Sequence, residues 1–177
     1  YLYTHPEANY IQPRQSRLAS VLRQESDIAP LLKGIRWDQG HPYNSMCPSD
    51  MGGRAVTGCV ATAMAQILRS YQWPVRSVPG DYSYRDKGVT RSITFGQKDY
   101  DWDHMPENFD KDRKPTKEEA DAIGLLLKEV GYAVDMNYSS SASGAWESDA
   151  LVALKTRFHF KKQARLHFRS AHTVESW

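Results

Sequence analysis

Cys59 stands at the foot of a predicted helix, in the run Thr57-Gly58-Cys59-Val60-Ala61-Thr62-Ala63-Met64-Ala65-Gln66-Ile67-Leu68. A thiol at a helix N-terminus sits among unpaired N–H groups and the positive end of the macrodipole. Both favour the thiolate, the nucleophilic form of cysteine, over the thiol, whose free pKa is about 8.5. Gly58 permits a tight turn into the helix with close backbone approach. The other reading of Cys59 is a small side chain filling core space. Its sequence neighbours leave both open. The second cysteine, Cys47, could pair with Cys59, which would abolish a nucleophile there. Cys47 and His41 fit no common zinc spacing, and a fourth ligand is not evident. No Cys-x-x-Cys step supports thiol redox chemistry. No metal or cofactor is therefore expected.

From Val60 there is neither Gly nor Pro until Pro74, and small Ala61, Ala63 and Ala65 alternate with bulky Met64, Ile67, Leu68 and Tyr71. That pattern predicts a central helix apolar on nearly all sides, which Pro74 stops soon after Tyr71. Two turn-rich loops, 34–44 and 45–56, precede it. Residues 75–115 read as loop and short strand, heavy in Tyr, Asp and Gly. Thr116-Lys117-Glu118-Glu119 is a capping box for a helix with Ala120, Ile123, Leu127 and Val130 inward. Gly131 is expected as its C-terminal cap, followed by a strand over Val134–Tyr138. Ser139–Gly144 is a loop of small residues. A short helix is expected over Ser148–Phe158, with Ala150, Leu151, Leu154 and Phe158 inward, and an alternating strand over Phe158–Phe168. No internal repeat is present.

At 177 residues, 40% hydrophobic and 25% charged, the chain is long enough for one globular domain with a real core. A net charge of +2, from 23 basic and 21 acidic residues, gives no reason to expect nucleic acid or an anionic membrane as partner. Arg157, Lys161, Lys162, Arg165 and Arg169, interleaved with Phe158, Phe160 and Phe168, fit a solvated strand face better than an RNA-binding strip. No apolar run reaches membrane-spanning length. The chain opens at Tyr1, with no signal-peptide pattern, and so reads as a processed or excised piece of something longer. Residues 1–25 are polar and weakly patterned, a linker or pro-segment tail cleavable at its basic residues. Residues 26–177 form the compact part.

From about Ile28 to Trp177 the residues resemble the streptopain-like cysteine peptidases of the papain clan. Trp37-Asp38-Gln39-Gly40 with Pro42-Tyr43-Asn44 is similar to that family's Trp/Tyr-Asn-Gln-x-x-Pro-Tyr-Asn loop. Thr57–Ala63 with Ala65-Gln66-Ile67 resembles its nucleophile segment almost unchanged. Tyr100-Asp101-Trp102, Val130-Gly131, Val134-Asp135-Met136 and Tyr138 follow in the right order. The resemblance implies an α+β papain-like fold, mainly the helical N-terminal subdomain, with the second, β-rich subdomain missing from this chain. It implies Cys59 as nucleophile and Gln39 as side-chain donor of an oxyanion hole, aided by the Cys59 backbone N–H. Acyl transfer creates an oxyanion that needs fixed donors nearby, and a neutral amide supplies one without competing for the thiolate. Taken by itself, Gln39 is a loop amide. The resemblance also sets Ser143 and Gly144 in the substrate cleft, where small residues let an extended peptide approach the backbone. A plain flexible turn fits those two residues equally well.

One family feature is absent. The general-base His of a Gly-Gly-His-Ala segment, and the Trp-Gly-Trp-Gly stretch after it, have no match around His5, His41, His104, His159, His167 or His172. A thiolate without an imidazole partner lacks a proton donor for the leaving amine. The expected function is a secreted cysteine endopeptidase whose base lies outside this chain, inactive as these residues alone. Its partners would be protein or peptide substrates, a C-terminal catalytic segment and an inhibitory pro-segment ending near residue 25. The competing expectation is a catalytically inactive papain-like module that binds peptides or inhibits related peptidases.

Overall fold

The computed structural model describes residues 29–109 and 112–173. The expected pro-segment tail, residues 1–25, lies outside the described residues. The chain divides into two units, Tyr1–Lys33 and Gly34–Trp177. The described part of the first is a turn in which the Lys33 N–H donates to the Pro30 carbonyl at 3.3 Å.

In the second unit a loop through Trp37 and Tyr43, both buried, leads to a minimal hairpin of β1 (Ser49–Asp50) and β2 (Gly53–Arg54). Helix α1 (Cys59–Tyr71) follows. Strands β3 (Gly80–Asp86) and β4 (Val89–Phe95) pair antiparallel, with Tyr84 opposite Arg91 and Asp86 opposite Val89. Helix α2 (Lys117–Ala133) and helix α3 (Glu147–Thr156) complete the regular structure, with single 3-10 turns at Trp102–His104 and Arg169–Ala171. The core gathers where α1, α3 and β4 pack on α2. Leu68 of α1, Phe95 of β4, Ile123, Leu126, Leu127 and Val130 of α2, and Phe158 beyond α3 are fully buried there. Each such side chain contributes roughly 1.5–3 kcal/mol by leaving water.

The capping box forms as expected. Thr116 Oγ1 accepts the Glu119 N–H at 3.2 Å, and the Glu119 carboxylate accepts the Thr116 N–H at 2.9 Å. Helix α2 then runs through Gly131, which is not its cap. A Cβ at Gly131 would collide with the Tyr138 hydroxyl, so glycine serves side-chain packing inside the helix.

The strand expected over Val134–Tyr138 does not form. Asp135 adopts φ 50°, and the Met136 and Tyr138 carbonyls accept from the Tyr84 hydroxyl (2.8 Å) and Lys87 Nζ (2.7 Å). Side chains of β3 and its turn occupy acceptors that a partner strand would need. Only Asn137 keeps a bridge, to Gly144.

The strand expected over Phe158–Phe168 is likewise absent. His159 sits at φ 59°, and the Phe160 N–H folds back onto the Leu154 carbonyl at 3.0 Å. In α3, Ala153 rather than Ala150 or Leu151 is the fully buried residue. Residues 75–115 hold more order than expected, because Lys87 and Gly88, both at positive φ (50° and 84°), make a two-residue hairpin turn. Helix α1 is one-sided rather than apolar all round: Cys59, Ala63 and Tyr71 are exposed, while Ala61, Met64, Ala65 and Leu68 face the core.

Candidate active site

Cys59 is the first residue of α1 and is exposed. Its N–H belongs to the first turn and has no intrahelical partner. The preceding Gly58 adopts φ 85°, ψ 143°, a conformation that side chains with a Cβ rarely reach. A Cβ at Gly58 would lie 2.7 Å from Met136 Sδ and 3.1 Å from the Ser143 carbonyl oxygen. The glycine thus lets the start of α1, the 136 segment and the 139–144 loop meet.

Behind it, the buried Thr57 and Thr62 hydroxyls lie 2.8 Å apart. The Gly58 carbonyl accepts both the Thr62 hydroxyl and the Thr62 N–H, each at 3.0 Å. The Thr57 N–H donates to the Gln39 carbonyl at 3.1 Å. Gln39 is therefore fixed through its backbone beside the turn that presents Cys59. Its loop is held twice more, by the Trp37 N–H on Gln66 Oε1 of α1 (3.2 Å) and the Trp37 indole on the Pro106 carbonyl (2.9 Å). The half-buried Gln39 side-chain amide has no hydrogen-bond partner among the described residues.

Ser143, whose carbonyl faces Gly58, and Gly144 belong to a loop that is tied down. The Ser143 hydroxyl accepts the Ser139 N–H at 3.0 Å and donates to the Ser139 carbonyl at 3.1 Å. The Ser139 carbonyl also receives the Val56 N–H at 3.1 Å, and the Ser140 N–H donates to Asp50 at 3.0 Å. Gly144 gives its N–H and its carbonyl to Asn137, at 3.1 and 2.9 Å. Next to Gly144 lies an open groove of about 550 Å³, lined among others by Lys87, Asp135, Trp146 and Asp149.

The two cysteines are free thiols. Burial pushes the Cys47 thiol up to about 11, offset only in part by Arg54. Only Cys59 is accessible. Among the described residues no histidine ring is bonded to the Cys59 thiol. His104 pairs with Asp101 at 2.7 Å, and His159 packs on Trp73, beyond the far end of α1. No group of three or more His, Cys, Asp and Glu side chains there is placed to hold a metal ion. Nor is any described helix long and apolar enough to cross a membrane.

Sequence reasoning assigns no role to Thr57, Thr62 or Met136. A threonine in a helix's first turn, able to bond the carbonyl four residues back, is a readable signal for Thr62. Met136 has none, since only the tertiary fold brings it to Gly58.

Comparison with known proteins identifies the family. Residues 37–177 match the model of the peptidase C10 family. The chain is 37% identical over 164 residues to the thiol protease/hemagglutinin PrtT of Porphyromonas gingivalis, covering 86% of this chain and 18% of that protein. It is 30% identical over 165 residues to streptopain of Streptococcus pyogenes, covering 82% of this chain and 40% of streptopain. Among solved structures it is similar to the active wild-type interpain A cysteine protease of Prevotella intermedia, with TM-score 0.69 and 36% identity over 78% of this chain and 58% of that one. A prointerpain A fragment from the same organism aligns with TM-score 0.63 and 36% identity, over 71% and 41% of the two chains. The chain thus spans less than half the length of the curated relatives it matches. With residues 37–177 matching its model, and with streptopain and interpain A among the similar proteins, the chain belongs to the peptidase C10 family, the streptopain-like cysteine peptidases.

Proposed function

We propose that this chain carries the nucleophile half of a secreted cysteine endopeptidase. The observation that supports this most is the Thr57–Gln39 bond, which holds the Gln39 backbone beside the turn that presents an exposed cysteine at a helix N-terminus. In this reading the Cys59 thiolate attacks a peptide carbonyl carbon and forms the C–S bond. The carbonyl π electrons move onto oxygen, and the oxyanion is met by the Cys59 N–H and the Gln39 side-chain NH₂. Collapse expels the amine, which takes its proton from an imidazolium, and water then hydrolyses the thioester. That imidazole belongs to a histidine of the parent protein outside these residues, because none of the six here lies in a base-like sequence context.

The substrate would be a protein or peptide lying extended along Ser143–Ala145. Ser143 offers backbone, and Gly144 keeps the edge low, its own N–H and carbonyl being engaged with Asn137. Residues 1–25 would be the tail of an inhibitory pro-segment. The prointerpain fragment among the similar structures supports a zymogen of this kind.

Substitution in the full-length parent protein tests the reading. Cys59→Ala should abolish hydrolysis of a peptide substrate. Gln39→Ala should lower kcat by roughly 10²-fold with little change in stability, since one transition-state donor is lost. Turnover close to wild type in Gln39→Ala would return that residue to an ordinary loop amide.

A further inference from the structure

The Gly58 carbonyl and the Cys59 N–H are the two ends of one planar peptide unit. Fixing the carbonyl therefore fixes the direction in which the N–H points. The carbonyl is fixed unusually well, because it accepts the Thr62 N–H and the Thr62 hydroxyl, each at 3.0 Å. A hydroxyl has one proton. With the Thr62 proton on Gly58, the 2.8 Å contact between the two threonines must be Thr57 donating to Thr62. The chain of donation runs from Thr57 Oγ1 to Thr62 Oγ1 to the Gly58 carbonyl. Bonds in such a chain polarise one another, and an amide whose carbonyl is loaded with donors is a stronger N–H donor at its other end. Thr57 and Thr62 are buried, so the chain is shielded from water. Thr57 also gives its N–H to the Gln39 carbonyl, so one residue touches the supports of both oxyanion donors.

We propose that Thr62, held by Thr57, is a positioning residue that orients and polarises the Cys59 N–H toward the oxyanion. The inference rests on the reading of Cys59 as nucleophile and adds a residue to it. Its consequence is selective. Steps that develop charge on the substrate carbonyl oxygen need the oriented N–H, whereas alkylation of the thiol by a small haloacetamide develops no such charge.

The test uses the full-length parent protein with Thr62→Val, Thr62→Ala and Thr62→Ser. Four quantities are measured: kcat and KM on a peptide substrate, Ki of a peptidyl aldehyde that forms a tetrahedral adduct, the iodoacetamide rate at Cys59, and Tm. Thr62→Val and Thr62→Ala should lower kcat roughly 10- to 100-fold and weaken the aldehyde by a similar factor. KM and the alkylation rate should stay within about threefold of wild type. Thr62→Ser, which keeps the hydroxyl, should recover most of the loss. Either hydroxyl-free variant suffices, so the result does not hang on valine being accommodated.

The proposal is overturned if a folded hydroxyl-free variant turns over at the wild-type rate. It is equally overturned if alkylation falls in step with kcat, or if serine restores nothing. Cys59→Ala separates the two levels. Hydrolysis surviving it would sink the nucleophile reading and this inference together. Hydrolysis lost in Cys59→Ala but intact in Thr62→Val would sink this inference alone.

Discussion

The amide of Thr57 donates to the carbonyl of Gln39 across 3.1 Å, and this contact joins two loops that the sequence keeps apart. A backbone bond of this kind fixes where the Gln39 residue sits without consuming its side chain. Cys59 follows two residues after Thr57, presented by a glycine turn, so the Gln39 backbone is tied two residues before the cysteine. The thiol is exposed, and the Gln39 side-chain amide has no hydrogen-bond partner among the described residues, which is what the proposed acyl transfer needs.

Gly58 carries a conformational and a steric constraint together. Gly58→Ala must hold a methyl-bearing residue at φ 85° and displace Met136. The substitution should cost about 1–3 kcal/mol and lower activity more than stability accounts for, since Cys59 moves with the turn. Urea denaturation and turnover on the same preparation check this. Unchanged stability would show that the turn adapts freely.

The two thiols should separate cleanly in labelling. Cys47 is buried and its thiol is pushed up to about 11, so in the folded protein near neutral pH it should stay unmodified. Cys59 should take up iodoacetamide alone, and Cys47 only after unfolding. Peptide mapping by mass spectrometry reads the ratio directly. Comparable labelling of Cys47 in the native protein would contradict the burial described.

Acid should weaken the cap of α2. The Thr116 N–H first, and Arg113 second, hold the Glu119 carboxyl below its ordinary value. A depressed folded-state value gives stability that is present above the unfolded value and lost as pH falls through the folded one. Glu119→Ala should therefore cost about 1 kcal/mol at pH 7, a gap that shrinks as pH falls below about 4. Denaturation curves at the two pH values decide it. A gap independent of pH would assign the cost to packing alone.

What could be read in advance follows from how local each determinant is. The Thr116–Glu119 cap and the start of α1 at Cys59 are set by neighbours in sequence, and both are legible. Gly131 looks like a helix stop, but its absent Cβ makes room for the Tyr138 hydroxyl, which no local pattern announces. Val134–Tyr138 has strand-forming residues, yet Tyr84 and Lys87 take its carbonyls from outside. Phe158–Phe168 alternates, but one residue at positive φ, His159, folds it back onto α3. The β3–β4 turn escapes notice because Lys87-Gly88 lacks the Asn-Gly or Asp-Gly signature of such turns. At the site, the place of Cys59 at the head of α1 is legible from its glycine and helix. Gln39 is an ordinary loop amide until a family resemblance, and then the Thr57 contact, draws attention to it. Thr62 shows in the sequence only the local signal of a first-turn threonine able to bond the carbonyl four residues back, while Thr57 shows none.

The account's central claim is that peptide hydrolysis runs through the Cys59 thiol. The most direct measurement treats the active full-length protein with an epoxysuccinyl peptide, then follows residual activity and the site of the adduct together. The account predicts one adduct per molecule, on Cys59, with activity lost in proportion to labelling and no adduct in Cys59→Ala. Full inactivation with the label on Cys47 or elsewhere, or undiminished hydrolysis by Cys59→Ala, would contradict it.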